Sequence, residues 1–175
     1  MSDFRTVTRA EIEARTARFD AVAQAPKVFL DMALPEYDRE LYNMIGPAGA
    51  NDMSTAAAVP SDGGFNVAYV RAEPGKGTGP HTHPVVEAFI PVSGRWVVYW
   101  GEGAARDNIE LGPLDCCSVP PGVIRGFTNI GDAPALLIAI VGGTGREGVD
   151  WAPELLDAAA ASGWRLGKGG RVEHG

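Results

Sequence analysis

Cysteine is nearly absent from this 175-residue chain: only Cys116 and Cys117 occur. Adjacent residues on a strand point to opposite faces, so a structural disulfide between them is disfavoured. The reading that follows is one buried and one more exposed thiol in a reducing compartment. Histidine is also scarce, with His81, His83 and His174 making up the whole set. No apolar run approaches the roughly 20 residues needed to cross a bilayer, although 45% of the residues are hydrophobic. A soluble globular protein is therefore expected. Nor is there a basic cluster. With 15 Lys and Arg against 22 Asp and Glu, the formal net charge is -7, which argues against nucleic acid or an anionic membrane as partner. The segment Met1 to Ala23 is studded with Arg, Asp and Glu and does not read as a signal peptide. The expected location is cytoplasmic and the expected partner a small molecule.

Glycine and proline are plentiful, at 23 and 13 residues, and they punctuate the middle of the chain as tight turns punctuate an all-β domain. Between them lie seven short β-branched and aromatic runs: Phe65 to Ala72, Val85 to Val92, Arg95 to Trp100, Asn108 to Leu111, Asp115 to Val119, Arg125 to Ile130 and Ala135 to Val141. Such spacing predicts a sandwich or small barrel. The flanks differ. Thr8-Arg-Ala-Glu11 has capping-box form and precedes Ile12, Arg15, Phe19 and Val22 at helical spacing, predicting a helix over about 9–23. Pro153 early, Glu154 in the first turn and Gly163 just beyond predict a second helix over about 152–162. The stretch 47–64 is rich in small residues without period and reads as a long loop or arm. Residues 167–175 lack apolar anchors and read as mobile. One domain, 1–175, is expected, with its barrel at about 65–141.

Chemistry concentrates in Gly75-Lys-Gly-Thr-Gly-Pro-His81-Thr-His83-Pro-Val-Val-Glu87. His81 and His83 are two apart, so on an extended strand both rings project from one face, and Glu87 shares that parity. Two neutral imidazoles and a carboxylate form a ligand set for Fe(II), Mn(II), Ni(II) or Zn(II), and three protein ligands leave positions open for water or substrate.

With Gly75, His81, His83, Glu87 and Gly94 at their spacings, the chain resembles the first conserved motif of the cupin superfamily at all five positions. The second cupin motif maps onto Leu114, Pro120, Gly122, Arg125 and Asn129, where the family has Gly, Pro, Gly, His and Asn. Three match and two depart. Leu114 is a minor departure, since Gly112 lies nearby. Arg125 is a chemical one: the family's fourth metal ligand is a histidine, and a protonated guanidinium has no lone pair to offer. The resemblance covers about 65–141. It implies an all-β, double-stranded β-helix (jelly-roll) barrel with short flanking N- and C-terminal helices, a divalent transition metal on His81, His83 and Glu87, and a homodimer.

Three orientations of Arg125 are open. It anchors an anionic substrate beside the metal, it pairs with Glu87 in place of a metal, or it turns away. Parity places Phe89 with Glu87 and Phe127 with Arg125, and Arg95 on the opposite face turns Trp96 inward. Arg125, Phe89, Trp96 and Phe127 are thus the candidate substrate-binding residues, with barrel packing the competing role for the aromatics. Tyr69, the cysteines and His174 are weaker candidates for a proton donor or an extra ligand. The function expected is a metal-dependent enzyme, dioxygenase-like, acting on a small oxygenated or carboxylated molecule. The alternatives are a metal-free anion-binding module and a Lewis-acid isomerase, lyase or cyclase.

Overall fold

Burial alternates residue by residue along the central strands, most regularly over Ala135–Gly142, where every second side chain points inward. That period-2 pattern is what one face of a packed sheet demands. The computed structural model describes residues 4–47, 56–145 and 147–175. The part of the expected loop or arm at 48–55 lies outside the described residues.

In chain order the strands are β1 (Glu40–Ile45), β2 (Phe65–Ala72), β3 (Gly77–Thr82), β4 (Glu87–Pro91), β5 (Trp96–Trp100), β6 (Asp107–Leu111), β7 (Cys117–Val119), β8 (Arg125–Asn129), β9 (Ala135–Gly142) and β10 (Asp150–Trp151). They form two five-stranded sheets, ordered β1-β2-β9-β4-β7 and β10-β3-β8-β5-β6. Every named pairing is antiparallel. From β2 to β5 the chain changes sheet at each step, and from β6 to β9 it does so again. This is the winding of a double-stranded β-helix. The core between the sheets is built on Phe89, Trp96, Val98 and Leu137, none of which reaches solvent.

Residues outside the barrel seal it. Val28, Leu30, Met32 and Leu34 are buried along two short 3-10 turns, Asp31–Ala33 and Pro35–Tyr37. Helix α1 (Arg9–Glu13) carries the capping box between Thr8 and Glu11 but stops well short of residue 23. It buries no side chain, and a short helix without a packed apolar face is marginal. Beyond it the chain forms a 3-10 turn at Phe19–Ala21, which lays Phe19 edge-on against Tyr42 with ring centroids 5.0 Å apart. Helix α2 (Pro153–Ala161) has Pro at its start, buries Leu155 and Ala159, and lies inside the expected 152–162. The C-terminal residues are not a loose tail. β11 (Trp164–Leu166) and β12 (Val172–His174) pair antiparallel, and Trp164 packs edge-on to His174 at 4.8 Å. Trp164, Leu166 and Val172 pack against the main core.

Candidate metal centre

Strand β3 delivers His81, the turn after it His83, and β4 opens with Glu87. All three side chains are buried, and their ligand atoms lie within 4.8 Å of one another. Nε2 of His83 is 3.1 Å and Nε2 of His81 is 3.9 Å from Oε2 of Glu87. The opposite ring nitrogens face main-chain carbonyls, Nδ1 of His81 at 2.8 Å from Gly79 O and Nδ1 of His83 at 2.9 Å from Val85 O. A carbonyl only accepts, so Nδ1 of His81 carries the proton and its Nε2 presents a lone pair inward, whereas His83 has an acceptor at each nitrogen, Val85 O at Nδ1 and Glu87 Oε2 at Nε2. Burial above all, with help from the Arg125 charge and against the pull of Glu87, pushes His81 down to about 4, so its ring is neutral near pH 7. For Glu87, burial disfavours the charged form. The hydrogen bond from His83, the charge His81 gains only when protonated at acid pH, and the Arg125 charge outweigh it and hold the carboxyl below its ordinary value.

A buried carboxylate needs a positive charge beside it. Arg125 supplies one. It begins β8, opposite His81 in the β3–β8 register, and its side chain is wholly buried. Nε donates to Glu87 Oε2 at 3.1 Å, Nη1 donates to Val123 O at 3.0 Å, and Nη2 lies against the His83 ring, 2.7 Å from Nδ1 and in contact with Nε2. Of the three orientations open from sequence, this is the pairing with Glu87. The guanidinium is paired with Glu87 and is not among the residues that line the cavity. Burial lowers its pKa while Glu87 opposes the shift.

The donor set also fits a divalent metal. Its atoms are two imidazole nitrogens and one carboxylate, and the Glu87 Oε1 accepts no hydrogen bond among the described residues. Arg125 stands where a fourth ligand is expected and contributes charge without a lone pair.

A cavity of about 500 Å³, its open mouth included, lies beside the three residues between the sheets. Phe127 lines it, as expected. Phe89 and Trp96 do not: both pack edge-on against Phe127, at 5.2 and 5.7 Å, as barrel core. Inward parity places a ring in the barrel, but only proximity to the open end places it at the cavity. Tyr69 lies on the outer side of β2 near Phe19, and His174 is held by Trp164. Cys116 is exposed, and burial pushes the half-buried Cys117 thiol up, away from thiolate chemistry.

The flanks complete the cavity with Phe29, Arg39 and Trp151, which motif spacing does not reveal. Asp31 and Arg39 form a buried two-point pair, with contacts of 2.8 and 3.1 Å. Asp31 Oδ2 also accepts the Gly79 N–H at 2.9 Å, and the Gly79 carbonyl faces His81. A Cβ on Gly79 would stand 2.1 Å from Leu155 Cδ1 and 3.3 Å from Asp31 Cβ, so any larger residue would have to displace the buried Leu155 side chain. One sequence signal pointed here: Asp31 is a lone carboxylate inside Val28-Phe-Leu-Asp-Met-Ala-Leu34, and a buried charge demands a partner.

A two-sheet double-stranded β-helix with a buried His-His-Glu cluster at the edge of its cavity defines the class. Residues 68–141 match the cupin domain family. No curated protein matches the sequence significantly. Among solved structures, the chain is similar to an oxalate oxidase at 22% identity and a TM-score of 0.47, covering 53% of this chain and 48% of that one. The chain thus spans about half the length of that protein. The oxalate decarboxylase of Lactobacillus farciminis aligns at 15% identity and a TM-score of 0.53, over 79% of this chain and 36% of that one. A structure reported with the DMSP lyases RdDddP and RnDddQII aligns at 16% identity and a TM-score of 0.57, over 75% and 62%. At these identities the likeness concerns the fold. Among the described residues, no helix is long and apolar enough to cross a membrane.

Proposed function

We propose that this cupin is a metal-dependent enzyme acting on a small oxygenated or carboxylated organic molecule, with His81, His83 and Glu87 holding a divalent transition metal. The observation that carries this reading is the convergence of buried His81, His83 and Glu87 ligand atoms within 4.8 Å of one another beside a cavity. A metal-free pocket would need only Arg125, Glu87 and His83, and has no use for a second buried imidazole, His81, with its Nε2 lone pair directed inward. When bound, such a metal supplies Lewis-acid polarisation of a substrate oxygen or, for Fe(II), a centre for dioxygen chemistry. The chain's own part is to bind and orient. Gly79 and Val85 carbonyls fix the imidazoles, Arg125 adds a second positive charge behind Glu87, and Phe29, Phe127 and Trp151 keep water from the substrate's side.

The test is metal analysis of protein purified without chelators, then after loading with Fe(II), Mn(II), Ni(II) or Zn(II), for wild type and His81→Ala. One equivalent in wild type and a loss of affinity above tenfold in the variant are expected. Wild-type protein that takes up no metal under any loading condition would instead favour the anion-binding module. Oxygen uptake by the Fe(II)-loaded protein separates the dioxygenase-like reaction from isomerase, lyase or cyclase chemistry.

A further inference from the structure

Between the sheets, the cavity wall is hydrocarbon nearly everywhere except at the three proposed ligands. Ala68 and Ala139 are register partners on β2 and β9, and both line the cavity. The cavity lies beside this pair of small side chains. Phe127, Phe29 and Trp151 line it as well, Phe29 from the segment before β1 and Trp151 from the edge strand β10. Trp151 is held opposite His81 by the β10–β3 pairing, with their ring centroids 5.6 Å apart. The one further charge on the wall, Arg39, is matched at both terminal nitrogens by Asp31, so it offers a second anionic group no uncompensated partner. At the ligand end the balance is different. A divalent ion and Arg125 against the single carboxylate of Glu87 leave an excess of positive charge there.

We infer that the substrate is a compact monoanion with an apolar body: one carboxylate or enolate oxygen group directed to the metal end, and a hydrocarbon or aryl part lying against Ala68, Ala139, Phe127 and Trp151. A small dianion is the wrong ligand for this wall, because its second charge would lose its water against hydrocarbon with no counter-charge. The inference rests on the metal reading and narrows it to a substrate class.

The experiment uses full-length, metal-loaded protein and three probes, acetate, butanoate and succinate, titrated by calorimetry with metal content measured before and after. Each CH2 removed from water against the wall strengthens binding about fourfold, so butanoate is expected to bind at least tenfold more tightly than acetate. Succinate, with the same carbon count and a second charge, is expected to bind at least tenfold more weakly than butanoate. Ala139→Leu fills the space and is expected to bring butanoate down to the acetate level while metal content stays at one equivalent. Ala68→Val, a smaller intrusion, is expected to give a partial loss and serves if the leucine variant does not fold. Succinate binding most tightly, equal affinity for acetate and butanoate, or no effect of either substitution would overturn the inference while leaving the metal centre standing. A protein that holds no metal and binds none of the probes removes both, and the metal analysis distinguishes that outcome.

Discussion

Two buried arginine–carboxylate pairs lie on either side of strand β3, and they use their hydrogen-bonding capacity differently. Arg39 grips Asp31 at both oxygens, donates to the Tyr37 and Gly77 carbonyls, and stacks over Phe29. Asp31 spends its remaining capacity on Gly79 N–H. Arg125 touches Glu87 through one nitrogen only, and Glu87 Oε2 is shared with His83 while Oε1 stays open. A saturated pair is scaffold. An unsaturated one, next to the inward lone pair of His81, is where a further ion or ligand gains by entering. The contrast explains how one short strand holds both a fixed frame and a centre for chemistry.

Breaking the saturated pair has the largest expected effect. Asp31→Ala leaves Arg39 buried and unpaired, and should lower stability in urea unfolding by about 3–5 kcal/mol. It also removes the acceptor that fixes Gly79, so metal affinity should fall by roughly 10–100-fold. Asp31→Asn separates the two effects, since the amide keeps an acceptor for Gly79 and loses the charge. An Asp31→Ala protein as stable as wild type would erase the distinction between the pairs.

The pH dependence of the metal-free protein comes next in size. The pKa of His81 is about 4 in the fold, against an ordinary 6.5, so between those values the unfolded chain binds a proton that the folded chain refuses. Its contribution is complete above about pH 6.5 and is lost as pH falls toward 4. Glu87, whose folded value is also depressed, adds a loss of the same sign below about 4.5. Glu87, Arg125 and Asp31 are the charges that act on His81. Urea titrations should show a decline of about 2 kcal/mol between pH 7.5 and pH 5. A flat profile would mean that the imidazole is not buried against the Arg125 side of the centre.

A smaller effect concerns the second departure from the cupin pattern. Leu114 stands where the family has glycine and retains a left-handed backbone, with φ 71°, while its side chain is exposed. Leu114→Gly should raise stability by about 1 kcal/mol in thermal unfolding, whereas destabilisation would show that the leucine has gained a contact to offset its strain.

How much of this was legible follows from the range over which each signal acts. His81, His83 and Glu87 sit within one hairpin-sized stretch, where strand parity alone converges them. The Arg125 departure was visible because motif spacing located it, but its direction was not. Choosing among three orientations requires knowing that Glu87 and His83 lie within its reach. The turn at Leu114 survives although the glycine does not, so spacing carried conformation further than residue type did. Phe29, Arg39 and Trp151 reach the cavity through long-range packing of the flanks, which leaves no local period. The N-terminal helix failed for the converse reason: residues 9–23 have helical spacing, but nothing packs on the apolar side of α1, and Phe19 finds Tyr42 and Tyr69 instead.

The unsaturated pair is tested most directly by titrating Co(II) into wild type and Arg125→His under identical conditions, following the visible absorption of the bound ion. One equivalent should bind to wild type through His81, His83 and Glu87, and the variant, with a repulsive charge replaced by a fourth imidazole, should bind about tenfold more tightly or better. Binding by neither protein, or equal affinity in both, would contradict the claim that Arg125 is the counter-ion of a three-ligand metal centre.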